Sequence, residues 1–464
     1  MQPSMGECIF RAAMESPPPS TAPRTRSPTP VPALFRVAIA PLRAFFQLQT
    51  SSGILLAVCA VLAMAWANSP WAASYEGLFD ARLSFGVAST HATFTVRQLI
   101  NDGLMTLFFF LVGMEVKREL SAGELRTPAR AVLPLIAALG GMVVPGLLYA
   151  VINAGSAAQA GWAIPMATDI AFSIGCLSLV GSRVSHGLVV FLTALAIFDD
   201  IGGILVIALF YGTGVHGGWL LAAGAVVAVL VALNRFYVRN GIPWLLAGAA
   251  LWFTMHHGGI HATLAGVVIG LCIPSRPTRP GREVLDDLSV YIRDCTGRAE
   301  DESMRGAQLL YIEERLEELE PPLNRFEHLW KGWVAYGIVP LFALANSGIP
   351  LAGMGWGDLL SPVPLGIIVG LFVGKQVGIL AFTWGAVRLG VSSMPGGGSL
   401  AQLHGVAVVA GIGFTVALFV AGLAFGDQPA VLNEAKLGIV VGSLLSALVG
   451  YVLLRFVAKP AVAV

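Results

Sequence analysis

Charge is what this sequence has least of. Asp, Glu, Lys and Arg make up 12% of its 464 residues, about half the share found in a soluble globular domain. With 56% hydrophobic residues and a mean hydropathy of +0.76, the chain reads as integral to a membrane. Its near-neutral balance, net +1, excludes a nucleic-acid partner held mainly through phosphates. Cysteine is sparse too. Cys8, Cys59, Cys176, Cys272 and Cys295 form no C-x-x-C pair, so neither a disulfide framework nor a thiolate zinc site is suggested. Residues 1–44 lack the apolar centre of a secretory leader. Their Pro, Ser, Thr and Arg ("ESPPPSTAPRTRSPTPVP") predict a disordered cytoplasmic tail.

What is abundant is apolar length. A membrane span needs roughly 20 apolar residues. Twelve candidate runs lie near 53–69, 96–116, 131–153, 161–180, 187–210, 218–236, 242–256, 259–273, 329–349, 363–387, 402–425 and 435–457. The predicted fold is an all-α membrane protein, with spans in 45–274 and 329–464. With a cytoplasmic N-terminus, the short inner segments carry ten Lys and Arg and the outer loops three, Arg82, Arg97 and Lys436. That bias predicts both termini in the cytoplasm. Residues 275–328 interrupt the series with 13 of the 27 acidic residues. Leu309, Ile312, Leu316 and Leu319 fall at helical spacing there, so the segment reads as a partly helical cytoplasmic insertion.

Four ionisable residues fall inside the predicted spans: Asp169, Asp199, Asp200 and Lys375. Each costs roughly 2.5–3.5 kcal/mol at a helix centre, so unpaired they would together cost about 10–14 kcal/mol. Clustering them in the bundle interior removes most of that penalty. In "LAIFDDIGGILVIALF", consecutive helical positions point about 100° apart. One aspartate can therefore pair with Lys375 while its neighbour faces water. Two adjacent carboxylates repel, which favours a proton on one of them. The same oxygens suit a small hard cation. A site that holds either H+ or a cation is, physically, an exchanger. The plainer alternative is an architectural Asp–Lys bridge that only orders the bundle.

The run "GWAIPMATDIAFSIG" predicts a helix break at Pro165, with Thr168 or Asp169 capping the second half. A second break is expected at "GIGFTVALF", around Gly411 and Gly413. Two interrupted helices, one in each half of the chain, predict an inverted repeat that matches spans 3–5 with spans 10–12 and crosses its breaks at mid-membrane. Asp169 as a simple helix cap, without ion contact, is the competing reading.

In combination, "NDGLMTLFFFLVGMEVKREL", "GWAIPMATDIAF", "LAIFDDIGGI", "GIHATLAGVVIG", "HLWKGWVAYGIVPLFALANSGI", "LGIIVGLFVGKQVGI", "GIGFTVALF" and "AKLGIVVGSLLSALVGY" resemble the NhaA-type sodium/proton antiporters of bacteria. The likeness runs from about Ser51 to Arg455, outside most of 275–324. It implies an inner-membrane transporter, not an enzyme, that needs no cofactor and extrudes Na+ or Li+ for about two H+. Intracellular pH and sodium homeostasis would be its role.

The resemblance also makes Asp199 and Asp200 the cation/proton site, with Asp200 the main Na+ ligand. Lys375 becomes the partner of Asp199, as counter-charge or proton carrier, and Thr168 and Asp169 lie at the helix crossing. Activation at alkaline pH would use Glu115, Glu119, Arg325, Glu327 and His328, residues that are otherwise ordinary juxtamembrane charges. Lys331 departs from the family there, standing where a His is familiar. Asp102 and His261 are expected in a funnel or in packing. A homodimer would form through the outer loop at 70–95, where "RLSFGV" and "HATFTV" are β-like.

Other classes fit less well. An intramembrane aspartyl protease needs its two aspartates on separate helices, and an organic-anion carrier would want an intramembrane Arg that this core lacks. A passive cation channel differs by not locking proton movement to Na+ movement. His257 and His261 at i, i+4 have neither a third ligand nor an intervening Glu, so packing is favoured over zinc.

Overall fold

In hydrocarbon a backbone has to close its own hydrogen bonds, and a helix does so locally. The computed structural model describes residues 51–457 except 88–89, 213, 215, 278, 297–301, 352–354 and 396–397. The expected tail, 1–44, and Lys459 lie outside the described residues. The chain begins with α1 (Ser51–Ala67) and α2 (Ala72–Phe79), and after a hairpin continues as α3 (Val96–Ser121), α4 (Pro128–Ile152), α5 (Ala157–Met166) and α6 (Ile170–Val180). There follow α7 (His186–Phe210), α8 (Gly217–Arg235), α9 (Gly241–His257), α10 (Leu264–Cys272), α11 (Gly281–Thr296) and α12 (Glu302–Leu319). The last third holds α13 (Pro322–Trp333), α14 (Val339–Asn346), α15 (Pro362–Arg388), α16 (Leu400–Val409), α17 (Phe414–Phe425) and α18 (Pro429–Phe456).

Among the described residues, α3, α4, α7, α8, α15 and α18 are long and apolar enough to cross a membrane. Three bent pairs raise the count to nine: α1–α2 at 116°, α5–α6 at 42° and α16–α17 at 45°. The twelve runs read from the sequence exceed that number because α9 and α10 are short, at 17 and 9 residues, and because the run at 329–349 continues from the charged α13 through Val334–Ile338 into α14. The β-like runs of the outer loop form a hairpin within this otherwise helical fold. Strands β1 (Arg82–Val87) and β2 (Thr90–Thr95) pair antiparallel, with Arg82 opposite Thr95. Their β-branched and aromatic residues favour a pleated ribbon over a helix.

The insertion forms the helices α11 and α12, with Tyr291 on Tyr311 at 4.2 Å between ring centroids. Arg279 binds Asp287 at 3.0 Å and reaches Glu318 at 3.7 Å.

One packing feature fixes the rest. Gly366, Gly370, Gly374 and Gly378 recur every four residues along α15, so they share a face. A Cβ on Gly370 would meet Pro165 at 2.6 Å, and one on Gly374 would meet Pro145 at 2.7 Å. Gly378 and Gly140 face each other so closely that a methyl group on either would overlap the other's carbonyl. Small residues let membrane helices approach this way. The close α4–α15 seam carries Lys375 into the bundle.

Candidate functional site

Helix α7 carries Asp199 and Asp200 near its middle, and both are buried. Asp199 faces α15, where the ammonium of Lys375 donates to its Oδ2. Both side chains of this ion pair are wholly shielded from solvent. Thr168 Oγ1 lies 2.7 Å from the same carboxylate oxygen and 2.9 Å from the Ala410 carbonyl. A hydroxyl has one hydrogen, so Thr168 divides it between the ion site and the second broken helix.

The other face of the pair is open. Among the described residues, Asp199 Oδ1 has no hydrogen-bond partner, and Asp200 makes no hydrogen bond or ion pair. Asp199 and Asp200 line a cavity of about 20 Å³, together with Phe109, Ala167, Gly203 and Val420. Roughly 10–15 Å³ suffices for one water, so this is space for a single small guest. Unpaired carboxylate oxygens beside it suit a hard cation.

The chain breaks at 167–169, between α5 and α6, with Pro165 still inside α5, and at 410–413, between α16 and α17. Asp169 caps α6, accepting the Phe172 N–H at 3.1 Å on Oδ1. Its Oδ2 accepts the Thr415 N–H at 3.1 Å and the Thr415 hydroxyl at 2.5 Å, capping α17 as well. The Asp169 N–H in turn donates to the Ile412 carbonyl at 2.6 Å. One carboxylate thus faces two positive helix ends, a favourable arrangement. Those donors occupy both Asp169 oxygens, and Asp169 does not line the small cavity. Pro165 lies one turn before this break, packed on Gly370. Gly411 and Gly413 are required by close approach: a Cβ on Gly411 would meet Ser446 Oγ at 2.7 Å, and one on Gly413 the Ala167 carbonyl at 3.0 Å.

Beyond the small cavity lies a larger vestibule of about 670 Å³, which Asp102 and His261 both line. Phe109 of the small cavity and Phe419 of the vestibule stand ring to ring, 5.2 Å apart, with Phe342 behind at 6.4 Å. At the opposite end of α3, Arg118 pairs with the buried Glu327 and reaches Glu119 at 3.3 Å. Glu115 lies in the electrostatic field of Arg118, Glu119, Glu327 and Lys331. The structure therefore brings Glu115, Glu119 and Glu327 together around Arg118. Arg325 and His328 are exposed on α13. Sequence reasoning missed Arg118, although its place three residues after Glu115 signals a shared helix face.

The histidines pack against aromatic rings. His256 stacks on Trp252 at 5.4 Å, and His257 lies against Phe253 at 4.2 Å. Among the described residues, no group of three His, Cys, Asp or Glu side chains is arranged to hold a metal.

The family model described as "Na+/H+ antiporter 1" matches residues 43–454 of this chain. The chain belongs to the NhaA sodium/proton antiporter family. It is 73% identical to the Na(+)/H(+) antiporter NhaA 1 of Myxococcus xanthus over 449 residues, covering 97% of this chain and 100% of the relative. It is 53% identical to the NhaA antiporter of Anaeromyxobacter sp. over 92% of this chain and 93% of the relative. The NhaA antiporter of Oleidesulfovibrio alaskensis is 43% identical, over 92% and 96%. This NhaA-family chain is a multi-pass membrane protein and a transporter, not an enzyme.

Proposed function

We propose that this protein is an electrogenic Na+/H+ antiporter of the bacterial inner membrane that also accepts Li+. Na+ and H+ alternate at Asp199 and Asp200. One observation carries the reading: Lys375 neutralises Asp199 through one oxygen, while the other oxygen and all of Asp200 border a cavity for one small guest. The three side chains hold two negative charges and one positive, leaving one charge to balance. A proton on Asp200 balances it, and so does Na+ between the carboxylates. Repulsion between H+ and Na+ makes the two exclusive.

If Na+ also weakens the grip of Asp199 on the Lys375 proton, two protons leave for each Na+ that binds. Net charge then moves with every cycle. Oxygens from Asp199, Asp200 and water would complete the shell that a hard cation needs. Asp169 acts in this scheme as the electrostatic keeper of the two half-helix ends, and Thr168 couples the ion site to the second break. The Phe109–Phe419 contact forms the barrier between the site and the vestibule.

The architecture in this reading has twelve crossings. The six long helices and three bent pairs are joined by α9, α10 and the run from α13 to α14, with both termini cytoplasmic. Helices α4 to α7 repeat, inverted, as α15 to α18, a match supported by similar bends in the middle member of each set. The β1–β2 hairpin is the surface proposed for homodimerisation. Alkaline activation is assigned to the Glu115, Glu119, Arg118 and Glu327 cluster, with Arg325 and His328 at its exposed edge. The acidic insertion, which borders α13, shapes the field around it.

The test is proton flux in proteoliposomes given Na+, Li+ or K+ between pH 6 and 9 with a potential-sensitive dye, the range where histidine and a shielded carboxylate titrate. Na+- and Li+-driven proton movement that follows the membrane potential supports the reading. Na+ flux without proton flux would defeat it.

A further inference from the structure

Lys436 was counted above among the outer-loop bases, and the structure corrects this. Helix α18 begins at Pro429, so Lys436 lies within it and is only 6% exposed. No described residue forms a hydrogen bond or ion pair with its ammonium. It lines the 670 Å³ vestibule, which also contains Glu76, Asp80, Asp102, Asp427, Arg97 and His261. The other strong base there is already engaged. Arg97 binds Asp80 at 3.0 Å, donates to the Ala345 carbonyl and lies 5.6 Å from the Phe79 ring centre. Lys436 is thus the unpartnered buried cation among the described residues of the vestibule, on the far side of the Phe109–Phe419 contact from Asp200.

We propose that Lys436 determines the sidedness of cation access: its positive charge disfavours Na+ in the vestibule and so weakens Na+ binding from that side. A positive charge within low-dielectric walls raises the energy of any cation that shares them. Asp102 and His261, which line the same vestibule, can each hold a proton, whereas Na+ must travel as an ion. Na+ that arrives from the vestibule must therefore pass this charge before it reaches the carboxylates. This inference rests on the exchange reading above.

The experiment uses full-length protein in proteoliposomes of fixed orientation, with KM for Na+ measured separately from the vestibule face and from the opposite face. Lys436→Met removes the charge at similar length, and a buried charge replaced by an apolar group is commonly tolerated. K436M is expected to lower the vestibule-side KM about three- to tenfold and to leave the other side unchanged. Lys436→Arg, which keeps the charge, should behave as wild type, and Lys436→Gln serves if the Met variant fails to fold. An unchanged vestibule-side KM, or an equal fall on both faces, overturns the proposal. Absence of Na+-driven proton flux in the wild type would instead defeat the exchange reading itself.

Discussion

Lys375–Asp199 and Arg279–Asp287 are the same kind of bond in opposite surroundings. The first joins α15 to α7 with no solvent on either side chain, and the second joins residues that are 34% and 45% exposed in the insertion. In water two such charges are solvated whether or not they meet, so the pair contributes little. Inside the bundle, neither charge has an alternative. Losing one partner leaves the other stranded, and the geometry becomes a constraint. The buried region shows a further difference. Its polar atoms are paired around Asp169 and Thr168, yet Asp199 Oδ1 and Asp200 are left open. Open carboxylate oxygens that border a small cavity leave room there for a guest.

The largest effect is expected where the open oxygens are changed. Asp200→Asn should abolish Na+-driven proton flux in everted vesicles while expression stays intact. Exchange at the wild-type rate would remove Asp200 from the mechanism. Next comes Lys375→Ala, which strands Asp199 and should cost about 3–5 kcal/mol of stability, read as a lower melting temperature. Adding Asp199→Asn to that variant should recover part of the loss, as coupled neighbours do. Strictly additive losses would argue that the pair is not coupled.

Gly378→Ala drives a methyl group into the Gly140 carbonyl and should cost about 1–3 kcal/mol by forcing α4 from α15. Exchange should slow with it, because Lys375 rides on that seam. A thermally unchanged G378A would break the link between the glycine face and the site. Thr168→Val removes the hydroxyl shared by Asp199 and Ala410, with an expected loss of about 0.5–1.5 kcal/mol. Its melting curve should sit between those of the wild type and K375A. Smallest of all, Arg279→Ala should change stability by less than about 1 kcal/mol. A loss as large as that of K375A would erase the contrast between the two regions.

Much of this was legible in the sequence, for a physical reason: a charge inside an apolar run is conspicuous because hydrocarbon penalises it. Asp199, Asp200 and Lys375 stood out that way, and Pro165 and the glycines at 411 and 413 marked the breaks. The span count was less legible. Apolar length defines a crossing only where a helix is long, and α9 and α10 are not. Lys436 was misjudged because hydropathy places a lysine at a helix end without telling whether a cavity lies beside it. The four-residue glycine spacing in α15 was visible, but its meaning depends on Gly140 and Pro145, far away in the chain. Asp169 was read both as a cap and as an ion residue. Its partner Thr415 lies 246 positions on, a distance that local pattern does not bridge.

The most direct measurement is titration calorimetry of the purified protein with Na+ in buffers of different ionisation enthalpy near neutral pH. Between one and two protons should be released for each Na+ bound, and none by the Asp200→Asn variant. If Na+ binds the wild type without displacing a proton, the two ions do not share these carboxylates.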